Sequence, residues 1–438
     1  MIEKVSRREV VQAGLAAPFL LGDISRAFAH GPSREHFRNG LCATSFSDGV
    51  FEKKIAFRDG RTLAGDALAL QKLMMARGSN EVFARLGSSR AASQRRPEGA
   101  MGAARRRAAL ARRVGLPLNP EFLLCANYGD MGGQPEPDFS SYPEIRLTKP
   151  WHELGIEAMC DAMRIYGRIV AREILETGVR VNVWDIGNEV EFGVAGVAIP
   201  PMNPQIGGPG WSYRAPDAVD PEIGKMSLGK FFLMKKADQV AWGKTHLWNY
   251  VGRIMAAVGD GIREVDPTAR FATHTSAIAS LMPEVFVGFH EAMDSAGFYA
   301  QECGVSYYPT NTKLIPNRLE RFKATVLLTR QQLRRPVFIA EFGYAAGPVT
   351  YGGEDWANPV EGYPCTPAGQ ASFLRDLVAW GARDGLLSGI RPWAPDYVGE
   401  GWQGMALFDA PVNGVALARP GLAAVTEGLT QSRKRQVA

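Results

Sequence analysis

The chain reads as an α/β protein, a single (β/α)8 TIM barrel with long βα loops after strands four and seven. Three observations predict this. Apolar, β-branched runs alternate with amphipathic helix patterns through most of the sequence, as parallel β/α units require. The runs number eight, a count at which such a sheet closes on itself. Two of them end on a glutamate, and a carboxylate at the C-terminal end of a barrel strand is where this fold places its chemistry. The chain has 438 residues, enough for one barrel with insertions. No repeat with a 20–50-residue period is visible, which argues against a solenoid.

Taken in order, residues 1–29 read as an export signal and 30–438 as the barrel. Arg7-Arg8 precedes a short apolar segment, Ala13 to Leu21, and Ala27-Phe28-Ala29 is an A-x-A cleavage site. Paired arginines before a modest apolar region resemble a twin-arginine signal, so a periplasmic or extracellular protein is expected. The first strand region, weakly marked, lies around Cys42 to Phe57, and a helix is expected from Leu63 to Ala76. The second strand is Glu81 to Leu86, carrying Arg85. The arginine-rich segment Arg90 to Arg113 lacks interleaved aromatics and reads as a solvated helix face. The third strand is Glu121 to Tyr128, followed by a polar loop to Pro150.

Ile156, Met159, Met163, Tyr166, Val170 and Ile174 then form an apolar helical stripe that Gly178 ends. The fourth strand follows, Val179 onward, and delivers Trp184-Asp185-Ile186-Gly187-Asn188-Glu189. Phe192 to about Val240 is the longest insertion, rich in Gly and Pro, with Trp211 and Tyr213; such loops build substrate clefts. After a helix from Ala241 to Val265, the fifth strand ends near His274 and the sixth in Ser306-Tyr307-Tyr308-Pro309. The seventh, Pro336 to Tyr344, ends on the glutamate Glu341. A loop from Ala345 to Pro367 and a helix lead to the eighth, Ile390-Arg391-Pro392-Trp393.

Composition narrows the partners. The chain is 46% hydrophobic and 22% charged, as in soluble globular proteins. A net charge of +5 is too weak to imply a nucleic-acid partner. No apolar run is long enough for a mature membrane span. The five cysteines form no C-x-x-C pair and read as small buried hydrophobes. The histidines form no H-E-x-x-H motif. No cofactor and no metal are expected, and the protein is expected to act as a monomer.

Two glutamates on matching strand ends, the first after an asparagine, suggest paired carboxylates that cleave glycosidic bonds. Glu189 is the candidate acid/base, with Val190 and Trp184 as an apolar flank that would raise its pKa. Glu341 is the candidate nucleophile. It must stay ionised, and Arg85, Tyr307 or Tyr308 could hold it so. Asn188 is placed to bond a sugar hydroxyl beside the broken bond. His274 joins the candidate substrate-binding residues. Trp393, Trp402, Trp211 and Tyr128 are candidate sugar platforms, because aromatic faces suit the C–H faces of sugar rings.

These residues carry a pattern. The chain resembles the clan of glycoside hydrolases with Asn-Glu at the end of strand four and Glu at the end of strand seven. Within it the chain is most similar to glycoside hydrolase family 53, the arabinogalactan endo-β-1,4-galactanases. The resemblance rests on Trp184 to Glu189, Gly304 to Pro309, Tyr363-Pro364-Cys365-Thr366-Pro367-Ala368-Gly369-Gln370 with the residues to Leu374, and Ala406-Leu407-Phe408-Asp409. It departs at Asn127-Tyr128-Gly129-Asp130, where such galactanases tend to have His-Tyr-Ser-Asp, and at Trp393-Ala394-Pro395, where they have Trp-Glu-Pro. The resemblance implies a retaining hydrolase of a β-linked plant-type polysaccharide or oligosaccharide, with β-1,4-galactan as first substrate. The alternatives are β-mannan or β-glucan, or a carbohydrate-binding barrel without turnover.

Overall fold

The computed structural model describes residues 37–90, 99–199, 219–351, 353–399 and 401–437. The expected export signal at 1–29, and Trp211 and Tyr213, lie outside them. Eight parallel strands form one sheet: β1 (Arg38–Asn39), β2 (Val82–Leu86), β3 (Leu118–Phe122), β4 (Trp184–Asn188), β5 (Phe271–Thr275), β6 (Glu302–Tyr307), β7 (Val337–Phe342) and β8 (Leu387–Pro392). Each pairs with its neighbour in the chain from β2 to β8, and β8 pairs with β1. The remaining seam, β1 to β2, is stitched by Asn80 and Asn39. The Asn80 N–H donates to the Asn39 carbonyl (3.2 Å), and the Asn39 N–H donates to Asn80 Oδ1 (2.8 Å). The ring is closed, so no strand edge is left to pair with another chain.

One helix follows each strand: α1 (Ala67–Met75), α2 (Met101–Val114), α3 (Ile156–Leu175), α4 (Trp248–Arg263), α5 (Pro283–Ser295), α6 (Arg318–Leu333), α7 (Pro367–Arg383) and α8 (Ala424–Val437). Their ends follow local chemistry. Asp66 caps α1 and Thr366 caps α7 through the N–H groups of Ala69 and Gly369. Gly115, at φ +76°, ends α2 in the left-handed conformation. Outward strand residues pack on the helices: Trp184 and Ile186 share a core with Tyr166 and Ile254, and Val305 and Ile339 share one with Phe322 and Phe373. At roughly 25 cal/mol per Å2 of apolar surface, this shell is the main source of stability.

Three strands break the period-two alternation: β4, β7 and also β8, where Val337 faces Leu387 but Phe338 faces Gly389, so that Ser388 is an extra residue. Between β4 and β5, Asp185 faces Ala272 but Asn188 faces His274, so β4 carries one extra residue. Between β7 and β6, Ile339 faces Val305 but Glu341 faces Ser306, so β7 carries one extra residue at Ala340. The bulges in β4 and β7 fall on the strands that end in the candidate glutamates. In β7 the bulge lets Phe338 and Glu341, three apart, both face the barrel interior while Ile339 and Phe342 face the helices.

Several expected elements sit elsewhere. The first barrel strand is Arg38–Asn39, ahead of the expected Cys42 to Phe57. Within that range Phe46–Glu52 is helical. Ala56–Asp59 joins Thr62–Ala64 and Val415–Leu417 in a small separate sheet, with Phe57 packed on Phe408. This pairing also shortens the helix expected from Leu63. The third strand stops at Phe122, because Leu124 turns the backbone to φ +61°. The arginine face of α2 is exposed at Arg105, Arg106, Arg112 and Arg113, but Arg107 is buried against the Ala43 carbonyl and Asp48. The insertion after β4 is a hairpin (Gly193–Val194 with Val197–Ala198) and three short helices between Glu222 and Trp242. Phe231 of those helices packs on Phe192. All five cysteines are free, and three are buried. No helix among the described residues is long and apolar enough to cross a membrane.

Candidate active site

The site lies at the C-terminal ends of the strands. Glu189 directly follows β4 with φ +52° and ψ +54°, the left-handed region. A non-glycine residue held there costs about 1–3 kcal/mol, tolerated where the surroundings enforce it. Gly187, at φ +85°, allows the turn. A Cβ there would come within 2.7 Å of Val190 Cγ1, so only glycine lets the chain fold back on itself. The Glu189 side chain is buried, and its Oε2 accepts the Met131 N–H (3.3 Å).

Glu341, on β7, is held by three groups. Arg85 Nη2 donates to its Oε1 (2.5 Å) and the Tyr308 hydroxyl donates to its Oε2 (2.7 Å). His274 adds positive charge from below. Burial alone would raise the Glu341 pKa, but Arg85, His274 and Tyr308 together hold it below the usual carboxylate range. Glu189 goes the other way. Burial, and then the negative charges of Glu341, Asp130 and Glu191, push it up to about 8. The expected flank acts only in part: Val190 is buried close by, whereas Trp184 faces outward and donates to Asp266 (2.9 Å). Two carboxyl groups of one site are thus displaced in opposite directions, which separates an acid from an anion.

Beneath them lies a polar layer that fills the barrel. Asn188 Oδ1 accepts from Arg85 Nη2 (2.9 Å) and His274 Nε2 (2.8 Å), and its Nδ2 donates to the Gly129 carbonyl (2.6 Å). Arg85 Nε also donates to Glu121 (2.5 Å), whose second oxygen accepts from Arg391 (2.7 Å). Arg391 reaches Asn119 Oδ1 (2.8 Å) and lies 3.5 Å from Asp185. The Arg391 guanidinium stacks on the Phe83 ring (3.7 Å), and that of Arg85 on the Trp393 ring (4.2 Å). Gly40 makes room, since a Cβ there would meet Arg391 Cβ at 2.9 Å.

Glu121, Asp185 and His274 lie close enough together to resemble a metal-binding set. The donor chemistry does not fit one. His274 is 3.8 Å from both carboxylates, an ionic contact, and their charge is already met by Arg391 and Arg85. For His274, burial would lower the pKa, but Asp185, Glu121 and Glu341 raise it.

Of the residues expected from sequence, the fold brings together Glu189, Glu341, Asn188, Arg85, Tyr308, Tyr128 and Trp393. Tyr128 and Trp393 are half-buried above Arg85. His274 is there but fully buried beneath Asn188, where it positions the amide and cannot reach a ligand. Tyr307 is not brought to the site. One residue from Tyr308 on the strand, it points the other way and stacks on Phe322 (3.9 Å). Trp402, buried, joins Trp356 around the Tyr308 ring. Glu121, Asp185 and Arg391 were not singled out from sequence. Their signal was a charge at an inward position of an otherwise apolar strand.

Residues 233–417 match the family model of glycosyl hydrolase family 53. The match covers the C-terminal part of the barrel, and over it the chain is similar to glycosyl hydrolase family 53. This similarity supports an O-glycoside hydrolase. No curated protein matches the chain in sequence. Among solved structures it is similar to the family 53 catalytic domain from Ignisphaera aggregans, at 17% identity and a TM-score of 0.64, covering 92% of this chain and 99% of that one. It is also similar to fungal β-1,4-galactanases, at 15% identity and a TM-score of 0.61, covering 88% and 98%. At these identities the likeness establishes the (β/α)8 fold. The family match begins at residue 233, so it contains Glu341 and leaves Glu189 outside.

Proposed function

We propose that this chain is a family 53 enzyme, a retaining hydrolase of β-1,4-galactan. Glu189 is the acid/base and Glu341 the nucleophile. The observation that carries the reading is the opposite displacement of their pKa values in one buried site. Below about pH 8 Glu189 carries the proton that the leaving oxygen must receive. Glu341, kept ionised by Arg85, attacks the anomeric carbon and forms a glycosyl-enzyme. Glu189, now a carboxylate, then takes a proton from water, whose oxygen attacks the anomeric carbon, breaks its bond to Glu341 and releases the sugar with both carboxyl groups restored. Asn188 offers a hydrogen bond to the sugar hydroxyl next to the broken bond. Trp393 and Tyr128 supply apolar faces for the sugar rings. The galactan substrate is supported by the family and by the fungal β-1,4-galactanases that share the fold. Export through the Arg7-Arg8 segment would bring the enzyme to extracellular polymers, and a monomer suffices for the site.

The test compares β-1,4-galactan with β-mannan and β-glucan and follows the first product by NMR. Galactan is expected to be the best substrate and the first product to be the β-anomer. Glu341→Ala should abolish turnover, and added azide should restore cleavage with formation of an α-glycosyl azide. A first product of inverted configuration would overturn the nucleophile assignment, and preference for mannan or glucan would overturn the substrate.

A further inference from the structure

At the opposite end of the barrel, the N-terminal ends of the strands surround a cavity of about 910 Å3. Arg38 lines it. The guanidinium is fixed by Glu81 (2.8 Å) and Glu302 (2.5 Å) and stacks on the Phe338 ring (4.0 Å). Those glutamates are the only acidic side chains among the described residues that line the cavity, and Arg38 engages both. Five more arginines line it. Arg330 is buried and donates to the Arg334 carbonyl (3.3 Å). The other four, Arg180, Arg270, Arg334 and Arg433, are exposed, and none pairs with a carboxylate among the described residues. Six arginines and two glutamates give the lining a formal charge of +4, and four of the arginines are exposed.

The four come from separate parts of the ring. The Arg180 carbonyl accepts the Leu118 N–H (2.8 Å) and the Arg270 carbonyl accepts the Trp184 N–H (2.8 Å), so the barrel's hydrogen-bond ladder fixes both backbones. Arg334 sits in the left-handed turn that ends α6, at φ +56°. Arg433 projects from α8. Gathering like charges around one mouth is unfavourable by Coulomb repulsion, which salt only partly screens. The arginine fork matches planar oxyanions with two parallel hydrogen bonds. Charges that surround a mouth, rather than lining an open strip, suit a compact ligand better than an extended polymer.

We propose that this funnel binds a compact multivalent oxyanion, a polycarboxylate or an oligophosphate. The site is separate from Glu189 and Glu341 and does not depend on their roles. Because it joins α8 to the strand ends, a bound anion stabilises the closed ring by mass action.

The experiment is calorimetric titration of the full chain with tripolyphosphate and with citrate, at constant ionic strength set by sodium chloride. Saturable binding at one site per chain is expected from at least one of them. Binding of tripolyphosphate alone would assign the site to phosphates, and of citrate alone to carboxylates. Arg180→Ser combined with Arg270→Ser should weaken the affinity at least tenfold with an unchanged circular dichroism spectrum, whereas Arg105→Ser on the outer face of α2 should leave it intact. The proposal fails if heats vanish once ionic strength is matched, or if the double variant binds as tightly as the parent.

Discussion

Replacing Arg85 by methionine removes a charge from beneath Glu341 while keeping a side chain of similar length. Arg85 Nη2 lies 2.5 Å from Glu341 Oε1, in a site closed to water. At an effective dielectric of about 20, unit charges some 4 Å apart interact by about 4 kcal/mol, or roughly three pKa units. Tyr308 and His274 remain, and water can enter the vacated space, so a net rise of about 1–3 units is expected for Glu341. The sign follows from the role. Glu341 must be ionised to attack, so the acidic limb of kcat/KM against pH moves to higher pH by that amount. Arg85 makes no hydrogen bond to Glu189, so the basic limb near pH 8 stays in place and the profile narrows from one side. The fold should survive, because Glu121 keeps Arg391 and Glu341 can take up a proton. The assay is the pH profile of polysaccharide cleavage by the purified variant. An acidic limb displaced by less than about 0.5 unit, or two limbs that move together, would refute the reasoning.

Two further predictions concern stability. The folded-state pKa of Glu189 is raised to about 8, so its burial is tolerated fully only below the unfolded carboxyl pKa. The wild type therefore loses stability as pH rises from about 4.5 towards 8, by up to roughly 4 kcal/mol, and Glu189→Gln should not. Urea midpoints at both ends of that range check it, and a gain equal at the two pH values would count against it. Gly187→Ala should cost about 1–3 kcal/mol and most of the activity, because it places a Cβ at φ +85° against Val190. Unchanged activity would show that Glu189 does not depend on that turn.

What the sequence determined by itself was the barrel and its two glutamates. Alternating apolar runs are a local signal, and a strand such as Val337–Phe342 can hardly be read otherwise. The position of Glu189 just after an apolar strand was legible for the same reason. The weak first strand was not, because β1 has only two residues and is defined by its pairing with β8. Nor could the chain order reveal which of Tyr307 and Tyr308 faces Glu341, since one residue of register decides it. The bulges at Gly187 and Ala340 were equally hidden: each exists only relative to the neighbouring strand. Tertiary structure alone decided the electrostatics. Arg85, Glu121, Arg391 and Asp185 are separated along the chain by up to hundreds of residues, and only closure of the ring brings them within a few ångströms. There burial and the charges of Glu341, Asp130 and Glu191 raise the pKa of Glu189, while Arg85 and His274 lower that of Glu341.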